Sequence, residues 1–228
     1  MPGSAIGTPG GRCPRAVLRL LIGRHRSHTA VMAVGDRWQA LSVAEVAALL
    51  DGMPVRWWIA GGWAIDLFVG ASTREHDDVE VAVLRSDQLA VQMHLHGWDL
   101  RVAHDGRLSR WAPGRLLTPA EHGIWARPRP ASPWRLELLV DDVVDDQWVF
   151  RRNPAVRLPL ERLGRTTTTG VPYLRPEVVL LYKAKRPRAS DEHDARVAIP
   201  RLSRSGRAWL AAAIARGAPD HHWLPLLA

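Results

Sequence analysis

Residues 56–81 read RWWIAGGWAIDLFVGASTREHDDVEV, and this stretch decides the fold. Residues 56–60, which are apolar after Arg56, predict a buried strand, and Gly61-Gly62 predicts a tight turn that leads into a helix over residues 63–69. After a loop, acidic and apolar residues alternate over residues 78–83, which predicts a second strand. A strand, a helix and a strand in this order indicate a mixed α/β domain.

The second predicted strand carries two acids, Asp78 and Glu80, in alternate positions. Alternate residues of a strand point to the same face, so both carboxylates project together while Val79 and Val81 pack into the core. Adjacent carboxylates repel each other unless a cation lies between them, and hard oxygen ligands of this kind suit Mg²⁺. The alternative is a solvated strand face with two ordinary acids.

A third acid, Glu137, lies in the apolar segment RLELLV at residues 135–140. An acid in the middle of a buried strand is costly unless it is paired or bound to a metal. Glu137 is therefore the candidate third carboxylate for phosphoryl transfer with two metal ions. The alternative is a salt bridge to an arginine such as Arg135.

Glycines and cationic side chains surround the predicted carboxylate strand. Gly61 and Gly62 would let the backbone approach a triphosphate at the start of a helix, and the alternative is a plain strand-to-helix turn. Arg74 and His76 precede the strand, and each would either contact a phosphate or brace the loop. We predict these four as nucleotide-binding residues.

The residues from Trp58 to Asp66, Gly70, and the run from Thr73 to Val81 together resemble the antibiotic nucleotidyltransferases. These are the aminoglycoside and lincosamide adenylyltransferases of the polymerase-beta-like superfamily. The segment PEVVLLYKAKRPR at residues 176–188 is similar to the helix that closes the nucleotide site in relatives. The likeness covers residues 40–200, and Glu80 stands where many members have aspartate.

The resemblance implies a fold, a reaction and a set of ligands. The fold would be α/β (α+β): the mixed sheet of the polymerase-beta-like nucleotidyltransferases flanked by helices, with a helical C-terminal portion. The reaction would transfer a nucleoside monophosphate from a nucleoside triphosphate, with ATP expected, to a hydroxyl of a small molecule such as an aminoglycoside or lincosamide antibiotic, releasing pyrophosphate. Asp78, Glu80 and Glu137 would hold Mg²⁺, or Glu137 would act as the general base.

Lys183 and Lys185 are the two lysines of a chain with 31 basic residues. An ammonium group suits phosphate as a compact, rotatable point charge. One of the two would offset charge on the leaving pyrophosphate, and not both, because residues two apart on a helix point about 200° apart. The alternative is a solvated helix face.

The 228 residues carry a net charge of +8, and most of it lies at the N-terminus. The first 35 residues hold five arginines and no acid, and removing them leaves +3. We predict a disordered basic tail over residues 1–36, a nucleotidyltransferase domain over 37–172 and a helical portion over 173–228. No apolar run approaches the ~18 residues that span a bilayer, and the single Cys13 forms no internal disulfide, so we expect a cytoplasmic protein.

The acceptor is the least defined element, because the region between Asp99 and Arg129 resembles no particular subfamily. Four acids just past Glu137 favour a cationic small molecule over nucleic acid: Asp141, Asp142, Asp145 and Asp146. Otherwise these acids form a solvated loop. The alternative function is a nucleotidyltransferase-fold toxin–antitoxin-type or nucleic-acid-binding component without antibiotic-modifying activity, which the basic tail favours.

Overall fold

The predicted mixed sheet flanked by helices is confirmed in the computed structural model, which describes residues 37–228. The predicted tail at residues 1–36, with Cys13, lies outside the described residues. In the described part, the strands are β1 (Trp57–Ile59), β2 (Glu80–Leu84), β3 (Asp99–His104), β4 (Arg107–Arg110), β5 (Gly123–Arg127), β6 (Leu136–Val144), β7 (Gln147–Val149), β8 (Arg157–Pro159), β9 (Gly164–Thr166) and β10 (Pro172–Leu174).

Eight strands follow the order β4-β3-β5-β6-β2-β1-β10-β9, and β7 and β8 extend from the far end of β6. The pairs β2–β6 and β1–β10 are parallel, whereas the other pairs are antiparallel. This order places β2 and β6 next to each other in the middle of the sheet, so the two strands that carry the predicted carboxylates are neighbours.

The helices in residues 37–228 are α1 (Val43–Leu49), α2 (Gly61–Val69), α3 (Gln88–His94), α4 (Pro176–Lys183), α5 (Ala189–Ala198) and α6 (Arg204–Ala215). Ser42 and Glu45 form a capping box that begins α1, with each side chain bonded to the other's backbone N–H. Gly70 ends α2 in the left-handed conformation at φ +83°. No helix in the described part is long and apolar enough to cross a membrane.

Two boundaries in the quoted stretch differ from the sequence prediction. α2 begins at Gly61 rather than at residue 63, because Gly61 itself makes the turn with φ +58° and leads directly into the helix. β2 begins at Glu80, so Asp78 precedes the strand. β1 ends at Ile59 and the chain turns away into α2, so β1 offers no strand partner to Asp78.

Two later boundaries also differ. β6 continues to Val144 because β7 pairs with its last three residues, so Asp141 and Asp142 lie within the strand rather than beyond its end. α4 ends at Lys183 rather than continuing to residue 186, which leaves Lys185 in the following turn. Pro187 accounts for this early end, since proline disfavours helix in the residue before it.

From β6 outward to β3, the sheet has one buried face and one partly open face. Leu136, Leu138 and Val140 of β6 are at most 2% exposed, whereas the alternating Glu137 and Leu139 are half-buried. The same alternation continues on β5 and β3. The core therefore lies on the face of Leu138, and polar side chains have access to solvent on the face of Glu137.

Candidate active site

Glu80 and Glu137 lie side by side on the parallel strands β2 and β6, where they are register partners. Partners in register point to the same face of a sheet, and both side chains are half-buried. Asp78, just before β2, is exposed, and its charge acts on both of them. The three carboxylates predicted from the sequence are therefore neighbours in the fold.

The pKa values of the two glutamates reflect this crowding. Burial raises the pKa of Glu137 to about 8, and the charges of Glu80 and Asp78 add to the rise. Burial also raises the pKa of Glu80 to about 7, with Asp78 adding to the rise and Lys183 opposing it. Each carboxylate makes ionisation of the next less favourable, which is typical of a site that binds a cation or handles a proton.

Gly61 lies against the Glu80 carboxylate. A β-carbon at residue 61 would stand 1.6 Å from Glu80 Oε2, and the φ of +58° is one that residues with a side chain rarely adopt. Glycine is thus required here for two independent reasons, the backbone turn and the space for the carboxylate. Its predicted contact with a triphosphate stays a prediction.

Gly62 is covered by the two cationic residues of the following loop. A β-carbon at residue 62 would stand 2.2 Å from Arg74 Nη2 and 2.6 Å from His76 Nδ1. Arg74 donates to Asp194 through Nε at 2.8 Å and Nη2 at 3.0 Å. His76 Nε2 lies 2.7 Å from Asp66, with the imidazole 3% exposed. Both side chains therefore brace the loop, and their predicted phosphate contacts stay predictions.

Asp66 ties this loop to α2. Its Oδ1 accepts from the backbone N–H of Thr73 at 3.1 Å and from the Thr73 hydroxyl at 2.6 Å. Trp63 packs on His76 with ring centroids 4.5 Å apart, and its indole donates to the Asp78 carbonyl at 3.1 Å. The helix that follows the glycine pair thus holds the backbone of Asp78 in place.

Lys183 is the lysine that faces the carboxylates. Its ammonium donates to Asp191 at 2.7 Å and lies 3.0 Å from Asp194 Oδ2, and its side chain is 10% exposed. Its charge also lowers the pKa of Glu80. Lys185 is exposed in the turn after α4. The choice between the two lysines, left open by the sequence, therefore favours Lys183.

Comparison with known proteins agrees with this geometry. Residues 42–115 match the family described as aminoglycoside-2''-adenylyltransferase. A segment of 46 residues is 39% identical to a 2''-aminoglycoside nucleotidyltransferase of Klebsiella pneumoniae, and it covers 20% of this chain and 26% of that protein. The family match covers about a third of the chain, which is similar to the aminoglycoside-2''-adenylyltransferases over that part. The aligned segment spans about a quarter of the length of the curated relatives that it matches.

Two solved structures of ANT(2'')-Ia share the fold. The crystal structure of ANT(2'')-Ia in complex with adenylyl-2''-tobramycin aligns with a TM-score of 0.52 at 17% identity, covering 77% of this chain and 97% of the other. The solution structure of ANT(2'')-Ia aligns with a TM-score of 0.51 at 18% identity, covering 79% and 93%. The similarity in fold therefore extends well beyond the segment that is similar in sequence.

The carboxylates of Asp78, Glu80 and Glu137 fit Mg²⁺ by their chemistry. Within residues 37–228, no three His, Cys, Asp or Glu side chains form a ready-made metal cage. Mg²⁺ does not need one, since it commonly binds one or two carboxylates and completes its shell with water and substrate phosphates. The crowded oxygens of Glu80 and Glu137, with Asp78 beside them, are ligands of this kind.

Of the four acids beyond Glu137, Asp145 and Asp146 lie in a solvated turn, whereas Asp141 and Asp142 lie in β6. Asp141 is 5% exposed and accepts from the Tyr182 hydroxyl at 2.6 Å, and burial raises its pKa to about 6. Asp142 pairs with Arg85. Asp145 and Asp146 are exposed at the β6–β7 turn, both with positive φ. Asp141 and Asp142 already have protein partners, so they give no support to a cationic acceptor.

Sequence reasoning missed two residues beside the carboxylates. Arg188 donates from Nε to Asp191 at 3.0 Å, and its charge lowers the pKa of Glu80 although its own side chain is 68% exposed. Trp125 is the register partner of Glu137 on β5, and donation from its side chain lowers the pKa of Glu137 in part. Arg188 lay inside the segment quoted for the resemblance, whereas nothing in the sequence pointed to Trp125.

Proposed function

We propose that this chain is a Mg²⁺-dependent nucleotidyltransferase that transfers a nucleoside monophosphate from ATP, or another nucleoside triphosphate, to a hydroxyl of a small molecule such as an aminoglycoside or lincosamide antibiotic. The register pairing of Glu80 with Glu137, with Asp78 beside them, is the observation that carries this proposal. A bare cluster of like charges is unfavourable, so its presence on a partly open sheet face supports a role in binding a cation and phosphates.

The nucleotide lies on the β2 side of the carboxylates in this proposal. Gly61 and the first turn of α2 would receive the phosphates, as the positive end of a helix does for anions. Lys183 stands on the same side and would offset the charge on the leaving pyrophosphate. Arg74 and His76 would act through the loop that they brace, in addition to the phosphate contacts that we predicted.

Asp78 and Glu80 would hold Mg²⁺, and Glu137 would either hold a second ion or accept the proton of the acceptor hydroxyl. Bound Mg²⁺ neutralises charge on the phosphates and the attacking oxygen. The acceptor oxygen forms a bond to the α-phosphorus, while the bond from that phosphorus to the pyrophosphate oxygen breaks. Where Glu137 acts as the general base, its ionised carboxylate accepts the hydroxyl proton. Pyrophosphate leaves with the electrons of the broken bond.

We further propose that the protein acts in the cytoplasm, where ATP and Mg²⁺ are available, and that its acceptor is a diffusible small molecule rather than nucleic acid. The charge supports this, since the excess of arginines over acids lies largely in the first 35 residues and the rest of the chain has a net charge of only +3. An extended basic surface would be needed to follow a nucleic-acid backbone.

Pyrophosphate release from Mg²⁺ and ATP, measured with a panel of aminoglycosides and lincosamides, tests the proposal. We expect release that requires a drug and falls at least ~100-fold in Glu137→Gln, which keeps the shape of the side chain but removes its charge. Asp78→Ala tests the proposed metal ligand in parallel. Glu161→Gln is the matched control, because Glu161 is exposed outside the site.

The outcomes separate the alternatives. Drug-dependent release that is lost in Glu137→Gln and kept in Glu161→Gln supports the full proposal. If no drug in the panel causes pyrophosphate release but Asp78→Ala weakens ATP binding, the acceptor is a compound other than these antibiotics. If the unmodified chain does not bind nucleotide, the proposed nucleotidyltransferase activity is contradicted and the nucleic-acid-binding alternative is favoured.

A further inference from the structure

A row of register partners crosses the open face of the sheet, starting at the carboxylates. Glu137 of β6 pairs with Trp125 of β5, Trp125 pairs with Arg101 of β3, and Arg101 pairs with Arg110 of β4. Register partners project from the same face. With strands about 4.8 Å apart, the row extends about 14 Å from Glu137, away from Gly61, the first residue of α2.

This face is accessible and differs from the buried face behind it. Trp125 and Arg101 are half-buried and Arg110 is exposed, while their alternating neighbours Ile124 and Val102 are fully buried. An acceptor must reach Glu137 from the side that the nucleotide leaves free. The row provides such a surface on the side opposite to α2.

Trp125 has a fixed orientation on this face. Trp38 packs edge-on against it with ring centroids 5.1 Å apart, and Trp134 does so from another side at 5.5 Å. Trp134 is in turn covered by the Arg127 guanidinium at 4.0 Å from its ring centroid. A half-buried indole held in this way offers a flat apolar surface with little entropy left to lose on binding.

The far end of the row is positively charged. Asp99 accepts from Arg101 at 2.7 Å and from Arg127 at 2.8 Å, so one acid serves two guanidinium groups. Arg110 has neither a salt bridge nor a side-chain hydrogen bond within residues 37–228. The face therefore changes from acidic at Glu137, through an aromatic surface, to basic at Arg110.

We propose that the row from Trp125 to Arg110 is the acceptor subsite, and that it selects an acceptor whose hydroxyl-bearing ring stacks on Trp125 and whose far end is uncharged or anionic. The apolar C–H face of a saturated ring packs on an indole, and polar substituents of the same ring reach Glu137. Ammonium groups at the far end would meet Arg101 and Arg110 and be repelled. The proposal rests on the proposed function, because it needs Glu137 to act on the acceptor hydroxyl.

The test compares two acceptors that share rings and hydroxyls but differ in charge: tobramycin and its fully N-acetylated derivative. Binding of each is measured by calorimetry to the full chain loaded with Mg²⁺ and a non-hydrolysable ATP analogue. We expect the N-acetylated compound to bind at least about tenfold more tightly, since several ammonium groups are removed and each close like-charge contact in water changes affinity by about fourfold.

Variants locate the effect on the row. Arg110→Glu is expected to reduce the preference for the neutral compound by about tenfold, because a repulsive charge becomes an attractive one. Arg107→Glu is the matched control, since Arg107 is exposed on the same strand but pairs with His104 and faces the other way. Trp125→Leu is expected to weaken the binding of both acceptors by about tenfold.

The outcomes decide between the subsite and the function on which it rests. Tighter binding of tobramycin, equal effects of Arg107→Glu and Arg110→Glu, or binding of neither acceptor to the nucleotide-loaded chain overturns the subsite alone. Because Arg110 is exposed on an edge strand, Arg110→Glu reports on the subsite even if Trp125→Leu fails to fold. A chain that does not bind nucleotide overturns both proposals.

Discussion

Glu80 Oε2 occupies the space that a β-carbon on residue 61 would need, with only 1.6 Å between the two positions. The residue that begins α2 and the first acid of β2 are thus fitted to each other across the gap between a helix and a strand. The glycine was predicted as part of a phosphate-binding turn, and the structure adds that it also leaves space for the Glu80 carboxylate.

Gly61→Ala is therefore expected to lower kcat/KM by at least ~100-fold, because Glu80 must move away from Glu137. The left-handed φ adds a strain of about 1–2 kcal/mol, visible as a lower midpoint in urea unfolding. Gly52→Ala is the matched control, since Gly52 has φ +70° and a β-carbon there would have nothing within 4 Å. Equal activity in the two variants would contradict the role of Gly61 beside Glu80.

Lys183→Met is expected to lower the free energy of unfolding by about 3 kcal/mol, because it leaves buried acids with one cation fewer. Bonds from Arg188 and Lys183 outweigh the effect of burial and lower the pKa of Asp191 to about 2, and Asp194 is fully buried. Urea unfolding measures the change. Lys185→Met controls for loss of a lysine charge and should leave stability within about 0.5 kcal/mol; similar losses in both would show that the ion pairs do not stabilise the fold.

Asp141→Asn is expected to change the pH dependence of stability. Burial raises the folded pKa of Asp141 from 3.8 to about 6, so the folded state binds the proton more tightly than the unfolded state. The contribution of Asp141 to the free energy of unfolding is then fully present below pH 4. It is lost as the pH rises through 6, by at most about 3 kcal/mol. The asparagine side chain does not titrate in this range. The free energy of unfolding of Asp141→Asn should therefore rise relative to that of the unmodified protein between pH 4 and 7. A difference in free energy of unfolding that stays constant over that range would show that the pKa of Asp141 is not raised.

Arg188→Ala is expected to raise the KM for ATP by about fivefold to tenfold. Its mostly exposed guanidinium acts on Glu80 and stands on the side where we place the triphosphate. Arg186→Ala is the matched control, because Arg186 is exposed in the turn just before it. The expectation fails if both substitutions change the KM to the same extent.

The sequence was sufficient to predict the mixed fold and to name the three acids that the fold brings together. Local signals carry that information: the capping box at Ser42, the left-handed Gly70 and the alternation around Glu80 are each visible within a few residues. The single acid in the apolar segment around Glu137 was informative for a related reason, since its burial demands a partner.

The contacts that the sequence could not predict join distant segments. Arg74 meets Asp194 across 120 positions, and Tyr182 meets Asp141 across 41. No local pattern specifies such partners, so the roles of Arg74 and of the acids after Glu137 depended on the fold. The helix boundary at Lys183 had a local cause in the following proline, which the pattern of apolar residues concealed.

Asp194 holds Arg74 and Lys183 at the same time. Asp194, which lies in α5, therefore connects this helix both to the loop before Asp78 and to α4. Any ligand that steadies the loop also steadies α5, although no ligand atom needs to touch that helix. We expect this as slower amide hydrogen exchange along α5 when Mg²⁺ and nucleotide are added. The loop and α5 should therefore become more rigid together when a ligand binds.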